Sequence, residues 1–220
     1  MPFGVDEAGK GPALGSMFAA AVWVDDRARL PDGIADSKRL APTRREELAG
    51  RMRASDGVRI GVAEVTPARI DDPETDMNSL AVAAHAEAIE AAADAAGTEG
   101  PAGLCDACDT DADRFARRVA DACGIDATVE ARHGADDEDA LVGAASVIAK
   151  VERDAHVAAI AAEYDEYGGV GSGYPSDPAT RAFLEAYVDD RGELPPCARS
   201  SWATCEEVLA TAEQASLGEF

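Results

Sequence analysis

The chain has 220 residues, with 43 acidic side chains against 20 basic ones and a formal net charge of −23. A hydrophobic share of 46% supplies a real core, which sets aside a disordered chain, and no apolar run approaches the ~20 residues that cross a bilayer. The length suits one domain with an extension or two small ones, and no secretion-type leader opens the chain, so the expectation is a soluble cytoplasmic protein without membrane contact.

Pro2–Val5 is a short apolar strand that runs into Asp6 and Glu7. Ser16–Val24 reads as a buried second strand, and the Pro42-Thr43 pair opens a helix of good helix formers. Gly57–Val65 alternates well enough for a third strand. A helix follows from Asn78, taken as its cap, to Gly97; Leu80, Ala84, Ala88 and Ala91 form its apolar stripe and Glu87, Glu90 and Asp94 its wet one. Pro101–Cys108 is a fourth strand ending in acids, Thr110–Gly124 a capped helix and Asp126–Gly134 a fifth strand. From Asp136 to Tyr164 the pattern predicts one long helix with Leu141, Ala144, Ile148, Val151, Ala155 and Ala158 as its stripe. Helical patterns at Pro178–Val188 and Ser201–Glu213 close the chain. The order implies an α/β layer structure: a mixed sheet of about five strands with helices on both faces, over 1–164, and a C-terminal helical extension over 165–220.

Four acids fall at the predicted strand ends: Asp6, Glu7, Asp106 and Asp136. Ligand sites in open α/β sheets gather there. Four converging carboxylates repel one another unless a cation neutralises them, and oxygen donors without a His or Cys cluster select Mg²⁺ or Mn²⁺. Two such ions suit displacement at phosphorus. The competing reading is chance, because a chain this acidic puts an Asp near many strand ends. Adjacent strand residues face opposite ways, so the chain is expected to leave strand geometry at Asp6-Glu7 for both to serve one site.

The segment "GVDEAGKGP" resembles the opening block of the type 2 ribonuclease H family, archaeal ribonuclease HII in particular. The likeness continues in order through "DSKRL", "CDACD", "ADD" with "AASVIAKVERD", and "GSGYPSDPATRAFL". It covers nearly the whole chain. The resemblance implies a ribonuclease-H-like sheet, endonucleolytic cleavage of RNA in RNA–DNA hybrids, incision at ribonucleotides embedded in duplex DNA, and products with 3′-hydroxyl and 5′-phosphate ends. It makes Asp6, Glu7, Asp106 and Asp136 the catalytic, metal-binding acids, with two Mg²⁺ or Mn²⁺ ions during catalysis. It makes Gly9, Lys10 and Gly11 the loop that touches the ribonucleotide and Tyr174 the residue that recognises its 2′-hydroxyl. One departure stands out: the family's arginine between the glycines is Lys10 here, which keeps the charge and loses the planar fork. Two other readings remain, a different ribonuclease-H-like nuclease or resolvase, and a catalytically silent nucleic-acid or clamp-binding module.

Lys38 is open between a phosphate contact and a solvated lysine. Lys150 lies fourteen residues after Asp136, ~21 Å along a straight helix, so it is expected to miss the metal site and to meet nucleic acid further along, or to serve structure. Arg153 with Asp154 reads as a local ion pair. His85 and His156 read as structural, and His133 as a bland residue or a proton shuttle. The Cys105–Cys108 pair invites a redox or zinc reading, against which stand the lack of a second pair and the odd total of five cysteines. The dispersed acids and the three lysines, Lys10, Lys38 and Lys150, resemble proteins adapted to molar salt. A monomer is expected.

Overall fold

The structure, a computed structural model, describes residues 2–34 and 40–217, with side chains to 214. β1 (Pro2–Ala8), β2 (Met17–Val24), α1 (Pro42–Arg53) and β3 (Val58–Val65) are followed by the short α2 (Pro67–Ile70) and by α3 (Met77–Ala96). β4 (Ala102–Asp106), α4 (Ala112–Ala122) and β5 (Thr128–Arg132) complete the sheet. Then come α5 (Ala135–Glu138), α6 (Ala140–Glu163), α7 (Pro178–Arg191) and α8 (Ala203–Leu217).

The chain divides into two compact units that interleave in sequence. One holds 1–8, 17–64 and 76–152, and the other 9–16, 65–75 and 153–220. The sequence reading set a single border at 164/165; packing draws it elsewhere.

The first unit carries a five-stranded sheet in the order β3-β2-β1-β4-β5. β1 runs antiparallel to β2 and parallel to β4, which is parallel to β5. β2 is buried along its whole length, as a central strand covered on both faces must be. Its Ala20, Val22 and Val24 pack with Leu48 and Met52 of α1 and Leu141, Ala145 and Ile148 of α6. α3 packs on β1 and β2, and α4 on β5 and α3. A Cβ on Gly4 would come within 2.3 Å of the Leu141 carbonyl carbon and the Val142 nitrogen, so a glycine here lets the first turn of α6 press on β1.

Three local expectations change. The helix expected from Asp136 onward is broken at Asp139, which is extended (φ −118°, ψ 124°) and whose Oδ1 accepts the Leu141 N–H at 2.8 Å, starting α6 afresh. α3 is capped by Asp76, whose Oδ1 accepts the N–H groups of Asn78 and Ser79, because a carboxylate one residue before the helix meets both amides. Ala91 of the expected stripe is exposed, and His85 is buried.

The second unit packs Leu14, Ile160, Tyr164, Phe183, Leu184, Val188 and Val208 into its own core. Tyr164 and Phe183 meet with ring centroids 5.5 Å apart. Among the described residues no helix is long and apolar enough to cross a membrane.

Candidate active site

The parallel pairing of β1 with β4 does the first part of the assembly. Val5 lies beside Cys105, so the next residues, Asp6 and Asp106, stand at matching positions on one face of the sheet. β5 then ends at Arg132, and a left-handed Gly134 (φ 69°) turns the chain into α5, whose second residue is Asp136. Asp106 Oδ1 accepts the Ala135 N–H at 2.8 Å and ties that turn to the end of β4. One carboxylate oxygen each from Asp6, Asp106 and Asp136 lies within 4.8 Å of the others. Asp6 and Asp136 are buried, at 5% and 2% exposure.

This arrangement costs free energy without a counterion. Burial first, then the Glu7 charge, pushes the Asp6 carboxyl well above its usual range; Asp106 adds to the rise. A hydrogen bond from Ser146 and the charge of Lys150 pull the other way. Lys150 Nζ donates to Ser146 Oγ at 2.5 Å, one helical turn back. Lys150 therefore belongs to the surroundings of Asp6, whereas it was expected to miss the metal site. Asp136 lies on α5 and Lys150 on α6, with the break at Asp139 between them.

Glu7 is outside the group of three. β1 stays regular through Ala8, with Asp6 opposite Ala20 and Glu7 opposite Ala19, so the expected departure from strand geometry does not occur. The pleat turns Glu7 toward the α3 face, where its Oε2 lies 2.8 Å from Nε2 of the fully buried His85. The sequence reading took His85 as structural; nothing in an alanine-rich helix face marked it as the partner of an acid 78 residues earlier.

Gly9 (φ 92°), Lys10 and Gly11 form a loop in the second unit, as does the exposed Tyr174. The guanidinium of Arg153 lies over the Tyr174 ring, 5.5 Å from its centroid, and donates to the Ser172 carbonyl. A methyl on Gly11 would sit 3.7 Å from Tyr174 Cε1, so loop and ring are neighbours. Lys38 lies outside the described residues. His133 Nε2 lies 2.7 Å from the Asp109 carbonyl oxygen. Burial pushes the Cys105 thiol well above its usual range, the opposite of a reactive thiolate.

The family profile of ribonuclease HII matches residues 3–205. The chain belongs to the ribonuclease HII family. A ribonuclease HII of Haloarcula marismortui is 60% identical over 220 residues, all of both chains. Among solved structures, ribonuclease H2 of Pyrococcus horikoshii matches with a TM-score of 0.84 and 34% identity over 97% of this chain and 99% of that one. The ribonuclease HII of Archaeoglobus fulgidus, solved in complex with PCNA, gives 0.79 and 35% over 94% and 96%. Membership makes the chain an endoribonuclease, a hydrolase acting on RNA–DNA hybrids, in a family whose activity depends on divalent metal.

Proposed function

We propose that Asp6, Asp106 and Asp136 would hold the divalent ions on which hydrolysis of the RNA strand depends, with Glu7 as the fourth acid and Mg²⁺ or Mn²⁺ as the ion, two being bound during catalysis. The observation that carries this reading is the convergence of three carboxylate oxygens, two of the acids being buried. The donors are all oxygen, the set for a hard cation, and the Asp6 carboxyl is raised by burial first and by neighbouring carboxylates second, both of which such a cation would offset. Bound ions of this kind supply a nucleophile at neutral pH and offset charge on the phosphate. The chain's own residues do the orienting. Lys150 donates to Ser146 Oγ, which leaves the Ser146 hydroxyl proton for Asp6 and fixes that side chain. His85 fixes Glu7 in the same way from the α3 side.

The substrate reading includes single ribonucleotides embedded in duplex DNA, cut to 3′-hydroxyl and 5′-phosphate ends. Gly9, Lys10 and Gly11 approach the sugar through their backbone, Tyr174 recognises the 2′-hydroxyl, and Lys10, Lys38 and Lys150 supply positive charge toward phosphates. A 2′-hydroxyl is what separates RNA from DNA at one position.

The test is a duplex with one ribonucleotide against an all-DNA control. Incision is expected at the ribonucleotide alone and stops on chelation of divalent ions; cutting of the control rejects the reading. On the same substrate Tyr174→Ala is expected to lose about 10- to 100-fold, since ring stacking is worth ~1–3 kcal/mol, and Tyr174→Phe less. Near-normal rates for both variants would show that Tyr174 is not the reader. The enzyme is further read as a cytoplasmic monomer without membrane contact; sedimentation in molar KCl at twice the chain mass would refute the monomer.

A further inference from the structure

Arg199 is the largest fully buried side chain among the described residues. Its donors go to backbone carbonyls. Nε donates to Gly15 O at 2.9 Å, Nη1 to Lys10 O at 3.1 Å and Nη2 to Gly9 O at 2.6 Å. The guanidinium stacks over Trp202, 5.0 Å from the ring centroid, and Trp202 Nε1 donates to Gly11 O at 3.2 Å. The carbonyls of three successive residues, Gly9, Lys10 and Gly11, are thus held by one stacked pair.

The pair is itself anchored. Asp71 accepts the N–H of Ser200 at 2.8 Å, the N–H of Ser201 at 3.0 Å and the Ser201 hydroxyl at 2.6 Å, which fixes the turn between Arg199 and Trp202. The Arg199 N–H donates to Ala13 O at 2.8 Å. Burial pulls the Arg199 guanidinium down to about 10, so the position is expensive for a cation.

Peptide geometry turns this into a statement about the loop's other edge. No peptide bond among the described residues is cis. In a planar trans peptide the C=O of one residue and the N–H of the next point in opposite directions. With the Gly9 and Lys10 carbonyls drawn to Arg199, the N–H groups of Lys10 and Gly11 point away from it, side by side. Consecutive amides on one edge suit an oxygen of a sugar or phosphate. Gly9, at φ 92°, supplies the backbone reversal that lets the carbonyls line up.

We infer that Arg199 and Trp202 are positioning residues for ribonucleotide recognition: they hold the Gly9–Gly11 carbonyls and so aim the Lys10 and Gly11 amides at the ribose. This rests on the reading that the 9–11 loop addresses the sugar. An arginine suits the task because its fork donates to three carbonyls at once, whereas a lysine ammonium is a point donor on a flexible stem. An apolar residue here would leave buried carbonyls without donors.

The experiment is steady-state cleavage of the single-ribonucleotide duplex by Arg199→Lys, Trp202→Phe and Gly11→Ala, each with its melting temperature. Arg199→Lys keeps the charge and gives up the fork; kcat is expected to fall about 10- to 100-fold with KM within about threefold, the signature of a misplaced sugar. Trp202→Phe keeps a ring under the guanidinium and removes only the donor to Gly11; kcat should fall about 3- to 10-fold at an unchanged melting temperature. If Arg199→Lys does not fold, Trp202→Phe decides alone. Gly11→Ala tests the loop reading separately, because its methyl meets Tyr174 at an ordinary 3.7 Å and the free protein accommodates it. It should fold normally and lose activity by blocking the sugar. Loss in Gly11→Ala with wild-type kcat in the other two overturns the positioning role and spares the loop. Full activity in Gly11→Ala overturns the loop reading and this inference together. A raised KM at unchanged kcat in Arg199→Lys also overturns it, since the pair would then only hold a duplex-binding surface.

Discussion

Asp6→Asn is expected to lower kcat on an RNA–DNA hybrid by at least about 10³-fold in Mg²⁺, the scale of ~4 kcal/mol of lost transition-state stabilisation. The substitution is nearly isosteric, so the 5%-exposed site keeps its packing while one of three converging charges disappears. Stability should move the opposite way. The folded chain holds the Asp6 proton more tightly than the unfolded one, so stability falls as pH rises from the ordinary aspartate range through the raised folded value. Asparagine removes that loss. In chelator at neutral pH the variant should therefore melt higher than the wild type. Added Mg²⁺ should raise the wild-type melting temperature by linkage and leave the variant's nearly unchanged. Calorimetry with and without chelator reads both effects. A wild-type rate for the variant in Mn²⁺ would sink the metal assignment, whatever the melting temperatures show.

The order of strands and helices was legible because each element carries its own signal. β2 is an unbroken apolar run, α3 ends at Gly97 in the left-handed conformation, and β4 ends in acids. The three acids that converge were legible as strand-end carboxylates, and the parallel register of β1 with β4 is what realises that pattern. What stayed hidden are contacts between residues far apart in sequence. Glu7 and His85 are 78 residues apart, and Arg199 reaches Gly9 across 190. No local periodicity encodes either pair. The helix break at Asp139 stayed hidden for a different reason. Helix formers flank Asp139 on both sides, so propensity reads straight through a residue whose side chain caps a new helix. The side chains of Asp6 and Glu7 do diverge, as the pleat of β1 requires. The departure from strand geometry expected there does not occur, and Glu7 takes a partner on the other face.

The melting temperature should rise steeply with potassium chloride. A net charge of −23 repels itself, and the Debye length shrinks from ~10 Å at 0.1 M to ~3 Å at 1 M, so salt removes most of that repulsion. Salt also weakens the ion pairs on the surface, such as Arg27–Asp139 and Arg181–Glu207, but exposed pairs contribute roughly 0–1 kcal/mol each. With 43 acids and 20 bases, more than half the acids have no basic counterpart to lose, and the repulsive sum outweighs the pairs. The 60% identity to a relative from Haloarcula marismortui is consistent with a chain built for concentrated salt. Activity answers to two opposed effects. An acidic body repels a polyanionic duplex at long range, and salt screens that repulsion. Each phosphate contact, however, releases counterions and weakens as salt rises. The proposed substrate contacts call on few cations, Lys10, Lys38 and Lys150, so the counterion slope is expected to be shallow and the first effect to lead at low to moderate salt. Cleavage should climb to an optimum and then decline. The check is melting temperature and hybrid cleavage measured across one potassium chloride series at fixed Mg²⁺. A melting temperature that stays flat or falls would reject the salt-adapted reading of the surface and leave the carboxylate site standing, because that site depends on three buried or half-buried acids and not on the charge of the whole chain.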